Sequence, residues 1–176
     1  MSWRLVSKET GLLVVDVQEK LVPAVQSPAD WLDRLIVLIR GVRLLDVPVL
    51  LTEQVPTKLG KTVEGVQKAA GNPRAMSKTA FSAATEGKEL GRKRVLVAGC
   101  ETHVCVRQTV YDLRLRELTP VVVADAVGSR QARDREMALA EMRADGVVVS
   151  TVEAVLFEML ESADHPKFKE VQALLK

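Results

Sequence analysis

Val95-Leu96-Val97-Ala98-Gly99-Cys100-Glu101-Thr102-His103-Val104-Cys105-Val106 is the stretch that decides how this chain folds. Its first four residues are apolar without interruption, the pattern of a strand buried on both faces of a parallel sheet. Downstream, Val106, Val110 and Leu113 recur at i, i+4 and i+7, which predicts an amphipathic helix. Cys105 therefore falls at a strand-to-helix junction, close to a helix N-terminus. Unpaired N–H groups and the helix dipole favour a thiolate there. Two readings of Cys105 stand at this point: a nucleophile, or a small buried hydrophobe.

Working outward, the same alternation repeats. Strands are predicted at Leu12–Val17, Val47–Thr52, Pro120–Ala124 and Val147–Val149, besides Val95–Ala98. Between them lie a helix capped by Asp30, with Leu32, Leu35, Ile36 and Ile39 on one face, and a helical stretch from Arg130 to Ala144, ending near Gly146. Ser150 and Glu153 have capping-box spacing and open a last helix with Val152, Val155, Leu156 and Met159. Residues 53–76 hold Pro56, Gly60, Gly65, Gly71 and Pro73. They read as a site loop around a short helix. A βα repeat of this kind specifies a three-layer α/β/α sandwich on a parallel sheet, here as one domain over 1–176.

Open α/β sheets place their sites beyond the carboxyl ends of the strands. Asp16 ends the run Leu12-Leu13-Val14-Val15, and Lys78 lies in Ser77-Lys78-Thr79-Ala80-Phe81-Ser82. Singly, the first is an ordinary turn former and the second an ordinary surface charge. With Cys105 they compose a nucleophilic site in which a thiol attacks, a carboxylate moves protons and an ammonium steadies both anions. Here the chain resembles the isochorismatase-like cysteine hydrolases. Val14-Val15-Asp16-Val17-Gln18, Ser77 to Ser82 and Gly99 to Val106 carry the resemblance in order. Pro48 to Gln54 and His165 to Glu170 look most like the isochorismatase domain-containing subgroup.

The resemblance implies six strands in the order 3-2-1-4-5-6, with Lys78 following an edge strand. It implies an Asp16–Lys78–Cys105 triad that cleaves a carbon–nitrogen bond of a small molecule through a thioester. It also implies a cis peptide at Cys100–Glu101, with the backbone N–H groups of Glu101 and Cys105 forming an oxyanion hole. Gln18 is either support for Asp16 or a loop cap. Glu53, Gln54, Thr102 and His103 are candidates for substrate contact or support. Phe81 either lines the pocket or packs in the core, core packing being the favoured reading. Cys100 reads as a small buried residue, Asp125 as a turn former or anchor, and His165 as structural. Nicotinamidases of this superfamily carry an Asp-x-His pair after the second strand, where this chain has Thr52-Glu53-Gln54, and only two histidines occur in all. No metal and no cofactor are expected. True isochorismatases typically lack the cysteine, so isochorismate is not the expected substrate.

Composition excludes other classes. The chain has 176 residues, 47% of them hydrophobic, enough for a sizeable core. With 25 basic against 23 acidic residues, no basic patch and only 3% aromatics, nucleic-acid binding is not expected. The two cysteines form no secreted disulfide framework, and Met1–Thr10 lacks a signal-peptide core. No apolar run spans a bilayer. A cytoplasmic homo-oligomer, dimer or larger, is expected. Two other readings remain open on the same fold. One is a thiol redox protein using Cys100 and Cys105, although they lack C-x-x-C spacing. The other is a non-catalytic interaction protein.

Overall fold

A computed structural model describes residues 4–176, so Met1–Trp3 and what was read from them lie outside the described residues. Six parallel strands form one sheet: β1 (Thr10–Val15), β2 (Val49–Gln54), β3 (Met76–Lys78), β4 (Arg94–Cys100), β5 (Thr119–Gly128) and β6 (Val148–Ser150). Their order is β3-β2-β1-β4-β5-β6, as expected. β1 is central. Leu12 faces Val49 on one side and Leu96 on the other, and every residue of β1 is buried.

Alternation along β1 sorts its side chains onto two faces. Leu12 and Val14 join a core built with α1 (Trp31–Leu44), α3 (Glu64–Ala69), α7 (Val152–Leu160) and α8 (Phe168–Leu174). Leu13 and Val15 join the opposite core, built with α4 (Ala84–Gly87), α5 (Arg107–Leu115) and α6 (Ala132–Ala144). These are the helix–sheet–helix layers. A further helical turn, α2 (Pro56–Leu59), lies in the loop after β2.

Several boundaries differ from expectation. β1 stops at Val15 because Asp16 adopts φ +52°, which breaks the extended backbone. Gln18 therefore lies in the loop. β5 continues past Ala124 to Gly128 through a register shift against β4. Asp30 occupies the position before α1, yet its side chain makes no cap bond. Ser150 ends β6, and Thr151 caps α7 instead, accepting from the Ala154 N–H. β3 comprises three residues inside a polar segment and was located only through the resemblance. Lys78 is its last residue rather than the residue after it.

Candidate active site

The β1 and β4 ends come unusually close. Gly99 has φ +112°, and a Cβ there would sit 2.2 Å from the Val15 carbonyl oxygen, so only glycine fits. This juxtaposition brings Asp16, just past β1, beside the segment that leaves β4. The Cys100 thiol donates to the Asp16 carbonyl at 3.2 Å. Cys100 is fully buried, as expected, and it also fixes the backbone of its neighbour across the sheet.

The Asp16 carboxylate is enclosed. Oδ2 accepts from Lys78 Nζ at 2.5 Å, and Oδ1 accepts from the Thr52 hydroxyl at 2.8 Å. Lys78 reaches inward from the sheet edge, its side chain only 2% exposed. Its Nζ also has Gln54 Oε1 at 2.8 Å, Phe81 O at 3.0 Å and Ala80 O at 3.1 Å within donating distance. A buried ammonium demands such company, because three donors removed from water need acceptors. Burial lifts the Asp16 carboxyl above its ordinary value of 3.8, against the pull of Lys78 and the bonds from Lys78, Thr52 and Cys105.

Cys105 lies in a π-helical turn, Thr102–Val106, that leads into α5. The peptide Cys100–Glu101 is cis. The Cys105 side chain is 7% exposed and within hydrogen-bonding reach of Asp16. Its thiol is pushed up to about 12, first by burial and then by the Asp16 charge. Lys78 and the Glu101 N–H pull the other way and lose. Desolvation and a nearby anion outweigh the helix terminus.

The remaining candidates separate into groups. Gln18 and Gln54 form a reciprocal amide clamp. The Gln54 N–H donates to Gln18 Oε1 at 2.7 Å, and Gln18 Nε2 donates to the Gln54 and Gly60 carbonyls. Gln54 Nε2 holds the Thr79 carbonyl at 2.7 Å, which turns its oxygen toward Lys78. Glu53 instead accepts from the Thr62 N–H and hydroxyl, tying down the loop after β2. The Glu101 carboxylate binds the Arg130 backbone and guanidinium. His103 Nδ1 is 3.1 Å from the Ser129 hydroxyl. The Thr102 hydroxyl is buried and makes no hydrogen bond within the described chain. Phe81 does not enter the core, because its carbonyl turns in to Lys78 while its side chain is left 54% exposed. Asp125 anchors Arg34 and the Val152 N–H. His165 Nδ1 accepts from the Lys167 N–H, a local turn contact.

Thr52 and Thr109 were not singled out from the sequence. Thr52 holds Asp16 directly, and Thr109 bonds the Cys105 carbonyl. A cavity of about 630 Å³ opens on the Lys78 side of the site, walled by Val55, Pro56, Thr57, Thr79 and Glu86 among others. Among the described residues no group of three or more His, Cys, Asp or Glu side chains is placed to hold a metal ion. No helix is long and apolar enough to cross a membrane among those residues.

The isochorismatase domain model matches residues 10–154, the span that contains all three groups. The chain belongs to the isochorismatase family. Isochorismatase domain-containing protein 2 of Danio rerio is 38% identical over 98% of this chain and 89% of its own length. The solved structure titled MAR1 ribonuclease from Caenorhabditis elegans has a TM-score of 0.91 at 38% identity, over 98% of this chain and 92% of that one. The Escherichia coli YcaC gene product, described as an octameric hydrolase of unknown specificity, shares the fold at TM-score 0.84 and 20% identity, over 99% and 96% of the two chains. This isochorismatase-family chain thus has the fold of a hydrolase family, with a carboxylate, an ammonium and a thiol at its switch point.

Proposed function

We propose that this chain is a metal-independent cysteine amidohydrolase acting on a small molecule. The observation that carries the reading is the buried Lys78–Asp16 pair at 2.5 Å, with Asp16 in reach of the Cys105 thiol. The thiol is stored neutral, so attack on a carbonyl requires its proton to pass to Asp16 as the carbon–sulfur bond forms. Asp16, lifted above the ordinary carboxylate range, is a better proton acceptor than an exposed aspartate. The tetrahedral oxyanion is met by the N–H groups of Glu101 and Cys105, each such donor being worth about 3 kcal/mol in a transition state. Asp16 then returns the proton to the leaving amine. Water, deprotonated by Asp16, cleaves the thioester and regenerates the thiol. Lys78 stabilises the Asp16 carboxylate each time its proton has been passed on.

The name ribonuclease borne by the Caenorhabditis elegans relative suggests RNA as a comparison substrate. A site whose Asp16 and Lys78 charges cancel gives a polyanion little attraction. A panel of small amides together with single-stranded RNA tests the choice. Cys105-dependent release of ammonia or amine is expected, unaffected by a strong chelator. Cys105→Ala should lower it about a thousandfold or more while the protein stays folded. RNA cleavage without amide hydrolysis, or equal turnover by Cys105→Ala, would sink the reading. We propose a homo-oligomer, by analogy with the octameric YcaC protein and from the exposed apolar residues Leu115, Met137 and Phe157, and a cytoplasmic location, from the two free cysteines. Light scattering that gave 19.3 kDa for a fully active species would refute the assembly.

A further inference from the structure

We infer that Thr109 is a positioning residue that locks the Cys105 turn to the loop carrying the Lys78 acceptors. The inference rests on the cysteine-hydrolase reading above. Thr109 is fully buried on α5, one turn after Cys105. Its hydroxyl donates to the Cys105 carbonyl at 2.6 Å and accepts from the Ala83 N–H at 2.9 Å. One hydroxyl thus spans two segments that the chain otherwise joins only through 26 residues.

The two segments hold the two halves of the site. Ala80 and Phe81, three and two residues before Ala83, supply two of the four oxygens around Lys78. Thr79, Ala80 and Ser82 of the same loop also wall the cavity. On the other side, the Val106 N–H bonds the Glu101 carbonyl five residues back, so the Cys105 turn is wider than an α-helical one. A wide turn leaves the height of Cys105 less determined by its own helix. The Thr109 hydroxyl supplies the missing restraint by pinning the Cys105 carbonyl to the loop. Lys78 and the Glu101 N–H are the groups that favour a Cys105 thiolate, and both act only at short range.

The test is the rate of Cys105 alkylation by iodoacetamide between pH 7 and pH 10, with the labelled residue identified by peptide mapping. It needs no substrate. Thr109→Ser keeps the hydroxyl and should label within about threefold of wild type. Thr109→Val keeps the shape, loses both bonds, and should label about tenfold more slowly at every pH in that range. Thr109→Val matching wild type in rate and profile would overturn the inference. So would Thr109→Ser failing as badly as Thr109→Val, which would mean packing alone. Should Thr109→Val not fold, hydrogen exchange on wild type decides. The Ala83 amide should be protected and should exchange faster once Cys105 carries the acetamide group, whereas protection unaltered by the adduct would overturn the coupling. Loss of the amidohydrolase reading would appear separately, as turnover retained by Cys105→Ala.

Discussion

The β1–β2–β3 half of the site and the β4 half are built on opposite principles. Around Asp16 and Lys78, charges are buried and every one of their polar atoms has a partner, from Thr52, Gln54, Ala80 and Phe81. Around Cys105 burial pushes the thiol up to about 12, toward its neutral form, and the Thr102 hydroxyl has no partner in the described chain. Buried charge survives only when it is fully compensated. A neutral thiol needs no such compensation and can wait for a substrate to complete its surroundings. The site therefore keeps its charge on one side and its thiol on the other, with Asp16 as the group common to both.

The contrast breaks most severely if the ammonium is removed. Lys78→Met leaves Asp16 buried without its counter-charge and should cost about 3–5 kcal/mol at neutral pH. The sign of the pH dependence follows because burial already raises the wild-type carboxyl above 3.8 and the variant loses the Lys78 pull that lowers it, so the folded-state value rises further. The folded state then holds its proton where the unfolded chain has released it, so stability is retained at acid pH and lost as pH rises through the folded value. Urea unfolding at pH 4.5 and pH 7.5 should show the variant close to wild type at the lower pH and far behind at the higher. A deficit independent of pH would remove Asp16 from the explanation.

A smaller effect is expected at Gln54, whose amide holds Lys78 on one side and Thr79 on the other. Gln54→Ala should cost about 1 kcal/mol, because Lys78 loses one of its four acceptors and the Thr79 carbonyl loses its partner. Urea unfolding measures the loss, and a change below a few tenths of a kcal/mol would show that the clamp is dispensable. Least affected should be Cys100→Ser. A serine hydroxyl can still donate to the Asp16 carbonyl now bonded by the thiol. Stability within about 1 kcal/mol and turnover within a few-fold are expected, and loss of turnover with the fold intact would reassign Cys100 to the chemistry.

Much of the fold could be read from the chain because buried parallel strands write continuous apolar runs, as in Leu12 to Val15 and Val95 to Ala98. β3 could not, since Met76, Ser77 and Lys78 carry no such pattern and pair only along β2. The Thr151 cap was missed by one residue because Ser150 offers the same hydroxyl one position earlier. Asp16, Lys78 and Cys105 were visible through their motifs. Their supports were not, because the bonds from Thr52 to Asp16 and from Thr109 to Ala83 join residues 36 and 26 positions apart. A threonine at a strand end or inside a helix looks ordinary until the fold brings its partner to it. Glu53 shows the reverse, a charged residue at a strand end that proves to tie down the loop at Thr62.

The division between fixed charge and neutral thiol is tested most directly by the pH profile of Cys105 alkylation in wild type and Asp16→Asn. Only the thiolate reacts. With the wild-type thiol pushed up to about 12, its labelling rate should rise about tenfold per pH unit from pH 8 to pH 10 without a plateau. Asp16→Asn removes the anion that disfavours the thiolate and leaves the Lys78 charge to favour it, so labelling at a given pH in this range should be about tenfold faster or more even though turnover is lost. A wild-type plateau near pH 9 or below, or slower labelling in Asp16→Asn than in wild type at the same pH, would contradict it.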